Sequence, residues 1–393
     1  MTSERTPSRQ ELVQRARDLA PVLGKHALWS EEHRSLHDDV VAAISDAGLT
    51  RMRVPTRYGG YESDTRTVVE VLAELGRADG SAAWNAAIWQ ISGWIAGLFP
   101  DAAQDLFHST PQVRVCGILS PSAVAEPVEG GVRVSGTWAF NSAALHSHWD
   151  MNAALLRHPD GSMEPVMTAI PLAELEIVDD WYTSGLRGSG SVSTTAREVF
   201  VPEERVLFMR NVLHEVYASE LNAASPLFRG PLLPTACATI TGVALGLGWA
   251  ARDAFFERLP GRGITYTDHS SRQEAQLTHL QVAEAEMRIE EAEFHTFRAA
   301  DLVDAKNASG QPWTTQERAR VRADMGRTCQ LVKEAVDVYA TASGGTSIYQ
   351  TVPIQRIERD VRVVNLHAIM QPATNLELYG RLLCGLEPNT HYI

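Results

Sequence analysis

The stretch WYTSGLRGSGSVSTTAREVFVPEERV, Trp181 to Val206, sets the fold class of this 393-residue chain. Its first half is a turn in which Gly185, Gly188 and Gly190 interrupt short polar residues. Its second half is a short strand that ends at Val201-Pro202, since proline halts strand pairing. The segments before it have the same character. QVRVCGIL, GGVRVSGTWAF, DMNAALLRH and MEPVMTAIP are short, often alternating, and bounded by Gly, Pro or Asp. Gly130-Gly131 and Asp160-Gly161 are hairpin-type turns. Residues 113–225 therefore read as a small antiparallel β domain.

On both sides of that domain the period is helical. In the first 112 residues, Ser8 and Glu11 have the spacing of a capping box. One helix is expected from about Ser30 to Ala47, stopping at Gly48, with others over about 64–78 and 81–99. After Pro226 four long segments follow, about 232–259, 271–304, 314–343 and 353–384, the last ended or kinked at Pro372. TITGVALGLGWAARDAFF carries small residues along one stripe, as close helix packing requires. The class expected is α+β: an N-terminal helical domain (1–112), a central β barrel or sandwich (113–225) and a C-terminal four-helix bundle (226–393).

A net charge of -13 argues against a nucleic-acid or anionic-membrane surface. The N-terminus lacks an apolar signal-peptide core. The apolar run Ser81 to Phe99 is broken by Asn85, Gln90 and Ser92, which favours a buried helix over a membrane span. Cys116, Cys237, Cys329 and Cys384 have no metal-ligand spacing, so no metal is expected and a cytoplasmic location is.

Three motifs in order carry a resemblance. Gly185-Leu186-Arg187-Gly188-Ser189-Gly190-Ser191 leads to Val201-Pro202; ATASGGTSIYQTVPIQRIERDVR holds Gly344-Gly345, Pro353 and Arg359-Asp360; and AGLTRMRVPTRYGGYE lies near the N-terminus. Together they resemble the acyl-CoA dehydrogenase superfamily over roughly residues 10 to 385. The resemblance implies a flavin site. Arg187, Ser189 and Ser191 stand in the glycine-rich turn, whose backbone N–H groups can approach a phosphate or the polar edge of the ring. Trp138, Phe140, Asn141 and Ser142 end the strand that covers one ring face. Gly344-Gly345 forms a second turn, and an arginine between the first two bundle helices, Arg262 or else Arg272, reaches the flavin phosphates of a neighbouring subunit. A homotetramer is implied.

A dehydrogenase of this family abstracts a proton with a glutamate eight residues beyond the Arg-Asp aspartate. Here that count from Asp360 reaches Ala368, in RIERDVRVVNLHAIMQP (Arg356 to Pro372), and no carboxylate lies nearby. Alanine cannot act as a base. The segment resembles instead the two-component flavin-dependent monooxygenases, which carry a histidine after the Arg-Asp pair, as His367 does, and a Ser-Gly-x-x-His-like segment, here Ser142 to Trp149. That likeness implies reduced FMN or FAD from a separate NAD(P)H:flavin reductase, O2, a C4a-hydroperoxyflavin in a dry pocket, and an aromatic or polycyclic substrate from natural-product biosynthesis. It assigns His367 first and Ser142 second as hydrogen-bond donor at the flavin. His146 faces the substrate, on a strand where His148 points away. The tryptophans at 84, 89, 94, 138 and 149 are candidates to line the site. No nicotinamide fingerprint follows a strand. Two alternatives stand beside this reading: N-oxygenation of an amine or amino sugar, and an acyl-CoA or acyl-carrier dehydrogenase with a relocated base.

Overall fold

The computed structural model describes residues 5–393. Six helices come first: α1 (Arg9–Asp18), α2 (Ala20–His33), α3 (Asp38–Asp46), α4 (Thr65–Ala78), α5 (Gly80–Ala96) and α6 (Asp101–Phe107). The Ser8–Glu11 capping box starts α1, and side-chain oxygens of Asp64 and Asp79 cap α4 and α5. The single helix expected over Ser30–Ala47 is two. Arg34 adopts a left-handed conformation at the end of α2, and the imidazole of His37 accepts the Asp39 N–H to start α3.

The strands are β1 (Val115–Val128), β2 (Gly131–Trp138), β3 (Trp149–Arg157), β4 (Met163–Pro171), β5 (Glu176–Val178), β6 (Ser193–Pro202) and β7 (Val206–Phe208). They form one seven-stranded sheet in the order β5-β6-β2-β1-β3-β4-β7, rather than the barrel or sandwich expected. Nor is it wholly antiparallel: β1 and β3 run parallel, with a register shift between Ile118 and Ala123. The loop after β2 carries the chain across to the far side of β1, and this crossing is what makes the pair parallel. It also lays residues 139–148 over the end of the sheet, where the candidate site lies.

After the short α7 (Met209–Leu213) come α8 (Leu232–Arg258), α9 (Gln276–Ser309), α10 (Thr315–Ser343), α11 (Pro353–Leu366) and α12 (Pro372–Leu383). α8 is long and apolar enough to cross a membrane by length and composition, yet 94% of its most apolar window is inside the protein. Its glycines explain how it sits there. A Cβ on Gly242 would come within 2.5 Å of the Val69 carbonyl oxygen, and one on Gly246 within 2.2 Å of that of Ala73. Side-chain atoms are left out so that α8 and α4 can touch backbone to backbone. The fourth bundle helix divides in two. His367 is extended (φ -63°, ψ 132°) at the end of α11, and Pro372 opens α12 at a position where its missing N–H costs no hydrogen bond.

Candidate active site

Between α5, the sheet and the start of α8 lies a cavity of 110 Å³. Ile88, Ser92 and Ile95 of α5 make one wall, and Ile118, Met151 and Met167 of the sheet another. Ile240 of α8 and Ile369, just past the end of α11, close it. Phe140 stands at its edge, 69% exposed. The side chains with polar atoms on its lining are Ser92, Ser142 and His367, together with the thioethers of the two methionines; no Asp, Glu, Lys or Arg lines it.

Backbone shape explains how Ser142 is presented. Phe140 (φ 62°) and Ala143 (φ 65°) both occupy the left-handed region, which non-glycine residues seldom enter. The turn is held there by Asn141, whose N–H donates to the Val192 carbonyl and whose amide donates to Asp150 Oδ2 (2.6 Å) and Thr194 Oγ1 (2.8 Å). Burial pushes the Asp150 carboxyl up to about 6. Ser142 then meets a line of hydroxyls. Its Oγ lies 2.7 Å from Ser191 Oγ, which lies 2.8 Å from Ser189 Oγ. Trp84 of α5 donates its indole N–H to the same Ser142 oxygen (2.9 Å).

His367 is placed by the break after α11. Its ring packs edge-on against Trp84, with centroids 5.3 Å apart. Nδ1 is enclosed and has no hydrogen-bond partner among the described residues. Burial pulls the imidazole down to about 4, so it is neutral at pH 7. The helix end that carries it is tied to the glycine-rich turn. Asp360 Oδ1 accepts the Leu186 N–H (2.5 Å), Arg359 donates to the Ser184 carbonyl (2.6 Å), and Gly185 lies flat on the Arg359 carbonyl, where a Cβ would come within 2.3 Å.

The structure brings Phe140, Ser142 and His367 to one cavity, with Ser189 and Ser191 behind Ser142. Other expected residues lie elsewhere. Trp138 is fully buried inside the sheet with its N–H on the Ala153 carbonyl (2.7 Å), so it offers no face to a ring; its β2 position points into the core. His146 is on a 3-10 turn, not a strand, and its Nε2 is 3.1 Å from Ser35 Oγ. His148 accepts the Arg114 N–H, and neither histidine lines the cavity. Arg187 binds the carbonyls of Glu31 and Thr183 and so braces its own loop. Among the tryptophans, Trp89, Trp94 and Trp149 serve packing: Trp89 and Trp94 donate to Ser147 and the Leu227 carbonyl, and Trp149 lies edge-on to Phe107.

A second cluster lies at the other end of α8. Arg258 and Arg262 both donate to Thr346 Oγ1 (3.1 and 3.0 Å), and Arg272 donates to the Ala342 carbonyl (2.7 Å) beside Gly344 (φ 77°). Burial together with Arg262 and Arg272 lowers the Arg258 guanidinium, and burial together with Arg262 lowers that of Arg272. None of the three is in an ion pair among the described residues. From Ile240 to Arg258 is 18 residues of helix, about 27 Å at 1.5 Å each.

Sequence reasoning had Trp84 only as one of five tryptophans that could line the site, without its hydrogen bond to Ser142, and left Ser92 without a role. The signal was present: 84, 88 and 92 recur every fourth residue and share one face of α5.

Residues 6–99 match the acyl-CoA dehydrogenase N-terminal domain, and residues 238–372 match the C-terminal domain. The chain is 26% identical to the oxygenase subunit HsaA, a flavin-dependent monooxygenase of Mycobacterium tuberculosis, over 99% of each. It is 28% identical to the oxygenase component of an FADH2-dependent resorcinol hydroxylase of Rhizobium sp., over 97% of this chain and 96% of that one. Among solved structures, XiaF from Streptomyces sp., in complex with FADH2 and glycerol, superimposes with a TM-score of 0.92 at 29% identity over 97% of each chain. The chain belongs to the acyl-CoA dehydrogenase superfamily. It has the superfamily's helical, sheet and helical parts in order, and its curated relatives within that superfamily are named as flavin-dependent monooxygenases and hydroxylases.

Proposed function

We propose that this protein is the oxygenase component of a two-component system that hydroxylates an aromatic small molecule, taking reduced FMN or FAD from a separate NAD(P)H:flavin reductase. The observation that carries this reading is that Ser142 and His367 line one cavity that contains no carboxylate. A dehydrogenase needs a base there to take a proton from its substrate, and none of the lining side chains can serve as a carboxylate base.

The residues fit a flavin. Orphaned buried polar atoms at Asn141 Oδ1 and His367 Nδ1, the Ser142 hydroxyl and the exposed Phe140 ring offer polar contacts beside an uncovered apolar face. When bound, reduced flavin supplies the chemistry that activates O2. The chain supplies the setting. If Ser189 donates to Ser191 and Ser191 to Ser142, the Ser142 oxygen accepts two hydrogen bonds, counting that of Trp84. Its own proton is then free to point into the cavity. His367, neutral, holds a proton at one ring nitrogen. Apolar walls exclude water from both.

Arg262, with Arg258 and Arg272, suits the phosphates of the cofactor, along with the Gly344-Gly345 turn. At about 27 Å along α8 from the cavity, that cluster serves a flavin seated in another copy. An apolar stripe on α9 supports such assembly. Leu280, Met287 and Phe294, each exposed and seven residues from the next, share one face, as they would to pack in a homotetramer. Buried Cys116, Cys237 and Cys329 and exposed Cys384, none in a disulfide, fit a reducing cytoplasm.

The test uses ¹⁸O2, chemically reduced FMN or FAD and a panel of simple phenols and indoles. The expected product carries one ¹⁸O atom; no ¹⁸O in any product sinks the reading. In His367→Ala, O2 consumption is expected to persist while at least tenfold more of it goes to hydrogen peroxide instead of product. An unchanged partition would remove His367 from the mechanism.

A further inference from the structure

Resting on the reading of this cavity as the substrate site, its lining says what kind of ring can enter. Every wall is apolar except at three points, and none of the three is charged. A carboxylate brought here loses its water and meets no cation, so it is held out by desolvation alone.

The three polar points are not equivalent. The Ser142 oxygen is already engaged by Trp84 and Ser191. His367 faces the cavity from beyond the end of α11. Ser92 is different. Serine inside a helix commonly bonds back to the carbonyl one turn earlier, as Ser343 does here to Tyr339. Ser92 makes no such bond, nor any other among the described residues, although it is only 4% exposed and lines the cavity. Its hydroxyl is therefore uncommitted on the cavity wall, open to donate to or accept from whatever enters. The space is small: 110 Å³, against roughly 150 Å³ for an apolar cavity known to take one benzene.

We propose that this cavity admits a single neutral ring bearing an unionised hydroxyl or N–H, which Ser92 hydrogen-bonds, and that it rejects aromatic carboxylates. The polar group of the substrate is thereby fixed on the α5 side, which turns another edge of the ring toward Ser142 and His367. Ser92 is a specificity-determining residue.

Calorimetry on the full chain at pH 8 with phenol, toluene and benzoate tests this. Phenol is neutral at that pH, toluene has the same size without the donor, and benzoate is the anion. Phenol is expected to bind at least tenfold tighter than benzoate and about fivefold tighter than toluene. Ser92→Ala should erase the preference for phenol over toluene and leave toluene unchanged; Ser92→Thr should keep the preference. Should Ser92→Ala unfold, Ser92→Cys, close in shape and a weak donor, gives the same comparison. Benzoate binding as tightly as phenol, no saturable heat with phenol, or a phenol-to-toluene ratio indifferent to Ser92 would each overturn the proposal. The ¹⁸O experiment on the same sample separates the two readings. Phenol binding through Ser92 with no labelled product removes only the monooxygenase reading, and labelled product from phenol indifferent to Ser92 removes only this one.

Discussion

At the scale of single residues, the site depends on a carboxyl that touches no cavity. Asp360 is buried where α11, the glycine-rich turn and the start of α5 meet, and it holds the Leu186 N–H. Burial and the nearby Asp79 push it up to about 7, against the opposing pull of the Leu186 N–H, Arg356 and Arg359. Its ordinary value is about 4. Between the two values the folded chain keeps a proton that the unfolded chain releases, so its share of stability falls as pH rises through that window. Asp360→Asn removes the slope and still accepts the Leu186 N–H. Relative to the parent, the variant is expected to gain on the order of 2 kcal/mol between pH 5 and pH 8. Denaturant melts at both values decide it, and a constant difference would show that the carboxyl does not titrate there. Sequence alone marked Asp360 as half of a motif. Its work was hidden because Leu186 lies 174 residues away and only the fold joins them.

At the scale of elements, legibility followed distance along the chain. The Ser8–Glu11 capping box is a local pattern, and it is formed. The parallel pairing of β1 with β3 is set by how one loop crosses the sheet, and no residue pattern states that. Trp138 shows the same limit. It ends a strand as expected, but which face of the strand meets the core depends on the neighbours of β2. The small-residue stripe on α8 was legible, and the structure gives it a partner in α4. Gly246→Ala should gain up to about 1 kcal/mol in helix propensity. It forces a methyl into the Ala73 backbone carbonyl, which cannot rotate away, so a net loss on the order of 2 kcal/mol is expected. An unchanged or raised Tm would mean that the two helices separate at no cost.

At the scale of the whole molecule, one chain leaves two surfaces unfinished. The exposed stripe of α9 is the first. Met287→Asp places a charge at its centre, and light scattering is expected to show a smaller assembly with the fold intact by circular dichroism. An unchanged mass would place the contact elsewhere. The stripe could be seen in the sequence as a seven-residue recurrence, but helical bundles bury many such stripes. Only the positions of α8 and α10 show that this one faces outward.

The arginines around Thr346 are the second. They lie a helix-length from the cavity of their own chain, so under the proposed sharing of one flavin between two copies a defect in either half is a defect of different subunits. Two faulty genes can then rescue each other. Ser142→Ala and Arg262→Glu chains, each inactive alone, should regain about a quarter of wild-type turnover when coexpressed in equal amounts, since random assembly pairs the intact halves that often. If each subunit completed its own site, such mixing would restore nothing.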